Sequence, residues 1–129
     1  MCVNTKIDVM GKALDCLEEA LSKSTKDLLA LDASIHRFEF SVELSWEALK
    51  HCLLQEGIKT TTPRDCLKHA FVYNWIKDDV SWLRMLQDHT LASSSYDTYI
   101  ASQIYNRLLT HYKSMKQLHI FLTNRFLCF

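Results

Sequence analysis

Gly11, Gly57 and Pro63 are the only glycines and the only proline in a chain of 129 residues. An all-β fold needs a tight turn roughly every 8–12 residues, and such turns lean on residues that accept a positive or a fixed φ. Three are too few, so the chain is expected to be helical. Apolar residues make up 48% and charged residues 23%, enough to fill a core and to cover it. The length fits one domain, residues 1–129.

One stretch argues the other way. In "HRFEFSVELSWEALKH", His36 to His51, every second residue from Phe38 to Trp46 is apolar. That is the period of a half-buried strand. No turn residues border it, however, and Gly57 suits a helix C-terminus, so the stretch is read as helix. At about 100° per residue, Ile35, Phe38, Val42, Trp46, Leu49 and Leu53 share one face. Phe40 and Leu44 then fall on another, with Glu39, Glu43 and Lys50 between. Such a helix is either covered by a partner on its second face or is central and packed on both sides within its own chain.

Four further segments follow the helical period. Thr5–Ser24 carries Ile7, Met10, Leu14, Leu17 and Leu21, with Glu18, Glu19 and Lys23 outward. Asp27–Ala33 is a connector or the opening of the next helix. "TTTPRDCLKHAF" marks a third start, with Thr62 as cap, Pro63 in the first position and Asp65 placed to bond back to the cap. Asp78–Asp88 bears Trp82, Met85 and Leu86, and the polar run "HTLASSSYD" is expected to be a loop. The fifth helix starts near Asp97 and runs through Ile100, Ile104, Leu108, Tyr112, Met115 and Leu122. The expected architecture is all-α, an up-and-down four-helix bundle with one additional short helix.

Lys+Arg and Asp+Glu balance at 15 each, which leaves no global positive field to attract nucleic acid. The 5 cysteines form no CxxC pair, no basic-then-apolar leader opens the chain, and no stretch nears the ~18 apolar residues of a membrane span. A cytoplasmic protein with reduced thiols is expected; Cys16, Cys52 and Cys66 read as small apolar fillers. Trp46 and Trp82 read as core. The 6 histidines are scattered and read as surface or capping residues, and no metal or cofactor is expected. Glu39 and Glu43, at i and i+4, can serve acid–base work or a metal, or form a solvated face paired with Lys50 or Arg37.

Three segments, "RFEFSVELSWEALK", "TPRDCLKHAF" and "WLRMLQDHTLASSSYD", occur in an order and spacing that resembles the nucleotidyltransferase substrate-binding protein family, a branch of the HEPN superfamily of helical bundles. The resemblance implies a homodimer, made beside a minimal nucleotidyltransferase that carries the catalytic carboxylates and associates with the bundle. Many such pairs are toxin–antitoxin modules, in which the bundle is a ribonuclease and the transferase disarms it by attaching AMP. It also implies that Phe40 and Leu44 form a dimer or partner surface.

The toxin branch reads Arg-Asn, three residues, His, any residue, Tyr. Here the matching positions run from His89 to Tyr96, so the Arg has become His89 and the His has become Ser94. Metal-free RNA cleavage needs a base for the 2′-hydroxyl and a cation for the phosphorane. Serine supplies neither unaided. The expected function is therefore a non-catalytic substrate-binding subunit that pairs with the transferase and contacts nucleotide or RNA. The alternative is a ribonuclease with a rearranged site. Tyr96 would be the AMP acceptor if one is retained, or a packing ring. Arg37, Glu43, Arg64 and Asp97 are the candidate nucleotide or substrate contacts, with structural roles open for both arginines.

Overall fold

The computed structural model describes residues 3–22, 28–94 and 97–127. They form five helices: α1 (Val3–Ser22), α2 (Leu28–Gln55), α3 (Pro63–Val72), α4 (Asp79–Ser94) and α5 (Thr98–Phe126). The fold class is the expected one. Helix α2 touches all four of the others, α1 and α4 each also pack on α5, and short α3 spans α2 and α4. Cross-helix pairs give the directions. Lys6 meets Glu47 while Cys16 meets Arg37, and Glu39 meets Ser93 while Glu43 meets His89. Helix α2 is therefore antiparallel to both α1 and α4.

The central position of α2 accounts for the alternation in its sequence. Phe38, Val42, Leu49 and Leu53 are buried in the common core with Ile7, Met10, Leu14 and Leu17 of α1 and Ile104, Leu108 and Met115 of α5. Trp46 is half-buried and packs on that core from the α3 side. Leu44 is half-buried at the groove between α1 and α2, where Phe40 keeps 54% of its surface exposed. Of the second apolar face, the chain itself thus covers most of Leu44 but only about half of Phe40. Truncating Phe38, which has no exposed surface, would cost about 3–5 kcal/mol.

The ends follow local chemistry. Gly57, at φ 83°, closes α2 with the bonds Ile58 N–H to Leu53 C=O (2.9 Å) and Gly57 N–H to Leu54 C=O (2.9 Å), which satisfy the last carbonyls. Thr62 caps α3, its hydroxyl accepting from the Asp65 N–H at 3.1 Å. The Asp65 carboxylate does not bond back to the cap; it faces His69 at 3.6 Å, one turn along. Asp97 caps α5 by accepting from the Tyr99 N–H at 2.8 Å.

From Leu28 onward the segment 27–33 opens α2, the second of its two expected readings. Other sequence expectations are corrected. The expected loop "HTLASSSYD" is helical through Ser94, because its hydroxyls find partners within a helix. Thr90 donates to the Leu86 carbonyl at 3.1 Å, and Ser93 reaches both the His89 carbonyl and Glu39. Cys16 is not a core filler but exposed, since Leu14 and Leu17 take the inward positions of that turn. Cys52 and Cys66 are buried, and burial pushes the Cys52 thiol up to about 12. No helix among the described residues is long and apolar enough to cross a membrane.

Candidate functional site

Helix α4 is held by a buried charge network that no sequence motif announces. Asp88 has no exposed surface. Its carboxylate accepts from the Arg107 guanidinium at 2.8 and 2.7 Å and from His111 Nε2–H at 2.6 Å. Arg107 and His111 stand four residues apart on α5, so one helix face delivers both. Burial alone would raise the Asp88 pKa, but the hydrogen bonds from Arg107 and His111 and the positive charge of Arg107 hold it below the usual carboxylate range. Burial keeps the His111 pKa below its ordinary value against the pull of Asp88. The ring is then neutral, with its proton on Nε2. Nδ1 is buried with no hydrogen-bond partner, and the ring stacks on Phe38 at 5.4 Å. His111 is therefore neither the surface nor the capping residue expected of it.

With Asp88 turned inward, the next residue of α4 turns toward α2. His89 Nε2–H donates to Glu43 Oε2 at 3.0 Å, and one turn on Ser93 Oγ–H donates to Glu39 Oε2 at 2.8 Å. Glu39 and Glu43 are thus partnered by α4, not by Lys50 or Arg37. These contacts are partly solvated and each contributes about 0–1 kcal/mol. Their importance lies in orientation, because Glu43 fixes which His89 nitrogen carries the proton.

On its other side His89 lines an open cleft of about 600 Å³ between α4 and the start of α3. Arg64, Gln87 and Thr90 share the wall, and the Arg64 guanidinium has no carboxylate partner among the described residues. The cleft combines a free cation, neutral hydrogen-bonding groups and an imidazole oriented by a carboxylate. That set suits an anionic ligand. Among the described residues, no three His, Cys, Asp or Glu side chains are gathered closely enough to hold a metal ion.

The sequence-predicted residues divide among separate places. Arg64 and His89 come together at this cleft, and Glu43 stands behind His89 as its partner. Asp97 lies in a smaller cleft of about 270 Å³, with Asp32 and Glu39 around it and isoleucines of α2 and α5 as its floor. Arg37 is turned the other way and donates to the Cys16 carbonyl at 2.9 Å; Ser41 bonds its backbone carbonyl at 2.7 Å. With Phe40 and Leu44 it lines the α1–α2 groove, so no cleft unites Arg37 with Arg64. Ser94 is exposed on the last turn of α4. Tyr96 lies outside the described residues.

Sequence reasoning missed Asp88, Arg107 and His111. A signal was present: Asp88 continues the buried stripe of Trp82 and Met85, and Arg107 and His111 lie among Ile104, Leu108 and Met115. Charged groups of opposite sign on two facing apolar stripes imply a buried pair.

Comparison with known families matches residues 5–124 to the model described as nucleotidyltransferase substrate binding protein like. Among solved structures, a Thermus thermophilus protein superposes with a TM-score of 0.83 at 28% identity, over 88% of this chain and 98% of that one. A Haemophilus influenzae protein, described as revealing the fold of a substrate binding domain of a nucleotidyltransferase, gives 0.78 at 22% identity, over 90% and 98%. Comparison with curated proteins gives no match.

Proposed function

The chain belongs to the nucleotidyltransferase substrate binding protein-like family, and on that premise we propose that it is the non-catalytic, substrate-presenting subunit of a two-component nucleotidyltransferase. It forms a homodimer and binds a separate minimal transferase, which supplies the carboxylates for nucleotidyl transfer. The observation that carries this reading is the α3–α4 cleft, with unpaired Arg64 opposite His89 held by Glu43. It offers binding and orientation to an anionic substrate. The partly exposed groove around Phe40 and Leu44 is the surface assigned to the dimer or the transferase.

The test is co-expression with the nucleotidyltransferase encoded beside it, an affinity tag on one chain only, and light scattering on the eluate. The two chains should elute together, with the bundle present as a dimer. Failure of the folded chains to associate would remove the proposal. The intact mass of the bundle should be unchanged by co-expression. A gain of AMP abolished by Tyr96→Phe would instead make it the modified partner of a toxin–antitoxin pair.

A second reading, a ribonuclease with a rearranged site, has one observation in its favour. His89 and Arg64, a possible base and a possible cation, line the same cleft. It requires growth arrest on expression of the chain alone, relieved by His89→Ala. Harmless accumulation of folded protein is the expected outcome and would eliminate it.

A further inference from the structure

The second stripe of α2 runs nearly the length of the helix. Ala33, Arg37, Phe40, Leu44, Glu47 and His51 follow one another at steps of three and four, and Ala30 and Leu54 continue the series at either end. None of them is buried. Phe40 and Leu54 keep 54% and 56% of their surface open. The charged residues beside the stripe leave it clear, since Glu39 and Glu43 turn to Ser93 and His89 of α4 and Lys50 lies over the Trp46 ring. On the other flank, Val9, Lys12 and Ala13 of α1 form with Phe40 and Leu44 a groove of about 190 Å³.

Taken from its middle outward, the stripe complements its own reverse. The midpoint lies between Phe40 and Leu44. One step out stand Arg37 on one side and Glu47 on the other, then Ala33 and His51, then Ala30 and Leu54. Each step pairs a cation with an anion, or a small side chain with a large one. Two copies of the helix laid antiparallel about a two-fold axis bring these pairs together, because in such an interface residue i meets j and j meets i. A parallel pairing would set Arg37 against Arg37 and Glu47 against Glu47, which repel. A different protein lying on this ridge would give no reason for its two ends to match. The series spans about 36 Å at 1.5 Å per residue, enough for a continuous helix–helix seam.

The charged pair is available for the contact. Arg37 gives one nitrogen to the Cys16 carbonyl, which holds the side chain along α1, and its other N–H groups have no partner among the described residues. Glu47 has Lys6 at 3.7 Å and His51 at 4.0 Å, partly solvated contacts that leave room for a second cation.

We propose that this stripe is the homodimer interface. Two copies pair through α2, antiparallel, with the two-fold axis level with Val42. Phe40 of each copy covers Leu44 of the other, Arg37 faces Glu47, and the two alanines make room for His51 and Leu54. The inference rests on the dimer in the reading above. It assigns the groove around Phe40 and Leu44 to the second copy, so the transferase binds elsewhere.

The test is charge reversal in the full chain without the transferase, read by analytical ultracentrifugation over a concentration series, with circular dichroism melts to verify folding. Arg37→Glu puts two carboxylates at each end of the seam, and Glu47→Arg puts two cations there. Each variant alone should dimerise about tenfold or more weakly than the unaltered chain. Mixed in equal amounts, the two should form a heterodimer of near-normal affinity, because every reversed side chain then meets one of opposite sign. A fold defect would not be rescued by mixing, nor would a different register. A dimer indifferent to both reversals, or variants that stay apart when mixed, would overturn this interface and leave the dimer itself standing. A chain that remains monomeric at high micromolar concentration would overturn both. The transferase takes no part in this experiment, so co-purification with it remains an independent result.

Discussion

Asp88→Asn keeps the shape of the side chain that anchors α4 and removes its charge. Three donors converge on the carboxylate, two from Arg107 at 2.8 and 2.7 Å and one from His111 at 2.6 Å. An amide has one acceptor oxygen, so its NH₂ must face at least one of these donors. Opposed donors without water lose a bond and stay unsatisfied, which costs about 1–3 kcal/mol. Arg107 also loses its counter-charge, although 29% exposure of its side chain lets solvent relieve part of that loss. The expected total is about 3 kcal/mol, near the lower end for a broken buried pair. With about 2.1 cal/mol/K of unfolding entropy per residue, that lowers the melting temperature of a 129-residue chain by about 10 °C. Urea unfolding followed by circular dichroism measures it. Replacing the whole network at once, with Asp88→Leu, Arg107→Leu and His111→Phe, should recover much of the loss, because no buried charge is then left alone. A loss below about 1 kcal/mol for Asp88→Asn would mean that the carboxylate is hydrated, and the anchoring argument would fail.

Three other outcomes follow from the same geometry. Asp88 and His111 both bind protons less readily in the folded chain than in the unfolded one, so their contribution is intact at neutral pH and lost on acidification. Stability should decline first below about 6.5, through His111, and again below about 4, through Asp88; urea midpoints across this range that do not fall would contradict it. At Gly11 an added Cβ would stand 2.8 Å from His119 Nε2, a ring that also bonds the Ile7 carbonyl at 3.2 Å. Gly11→Ala should therefore push His119 outward. The helix propensity gained, about 1 kcal/mol, roughly offsets the lost bond. Burial now lowers the His119 pKa, and it should return toward 6.5 in an NMR titration; an unmoved value would show that α1 and α5 part instead. Phe40→Asp should cost about 1–2 kcal/mol, since the ring is already 54% exposed, and should abolish the proposed dimer in light scattering; a dimer mass that persists would place that surface elsewhere.

Much of this protein was legible along the chain. The scarcity of Gly and Pro, the stripes at steps of three and four, and the caps at Thr62 and Asp97 are local facts, and local facts decide that there are helices and where most of them end. The segments quoted for the family resemblance pointed to the family that the whole-chain comparison returns. The polar run after Asp88 was misread because serine and threonine favour loops only when their hydroxyls compete with the helix. Ser93 instead finds Glu39, 54 residues away, which no local rule contains. The same distance separates what sequence and structure could say of the site. The choice of Glu43, Arg64 and His89 came from segments read one at a time, but the meeting of Arg64 and His89 at one cleft, with Glu43 bonded to His89, and the exclusion of Arg37 from it, depend on which way each helix is rotated. Rotation is set by packing in the common core and by Asp88 finding Arg107 and His111 across the bundle. Helical periodicity states that a residue faces inward. Only the tertiary structure states what it faces.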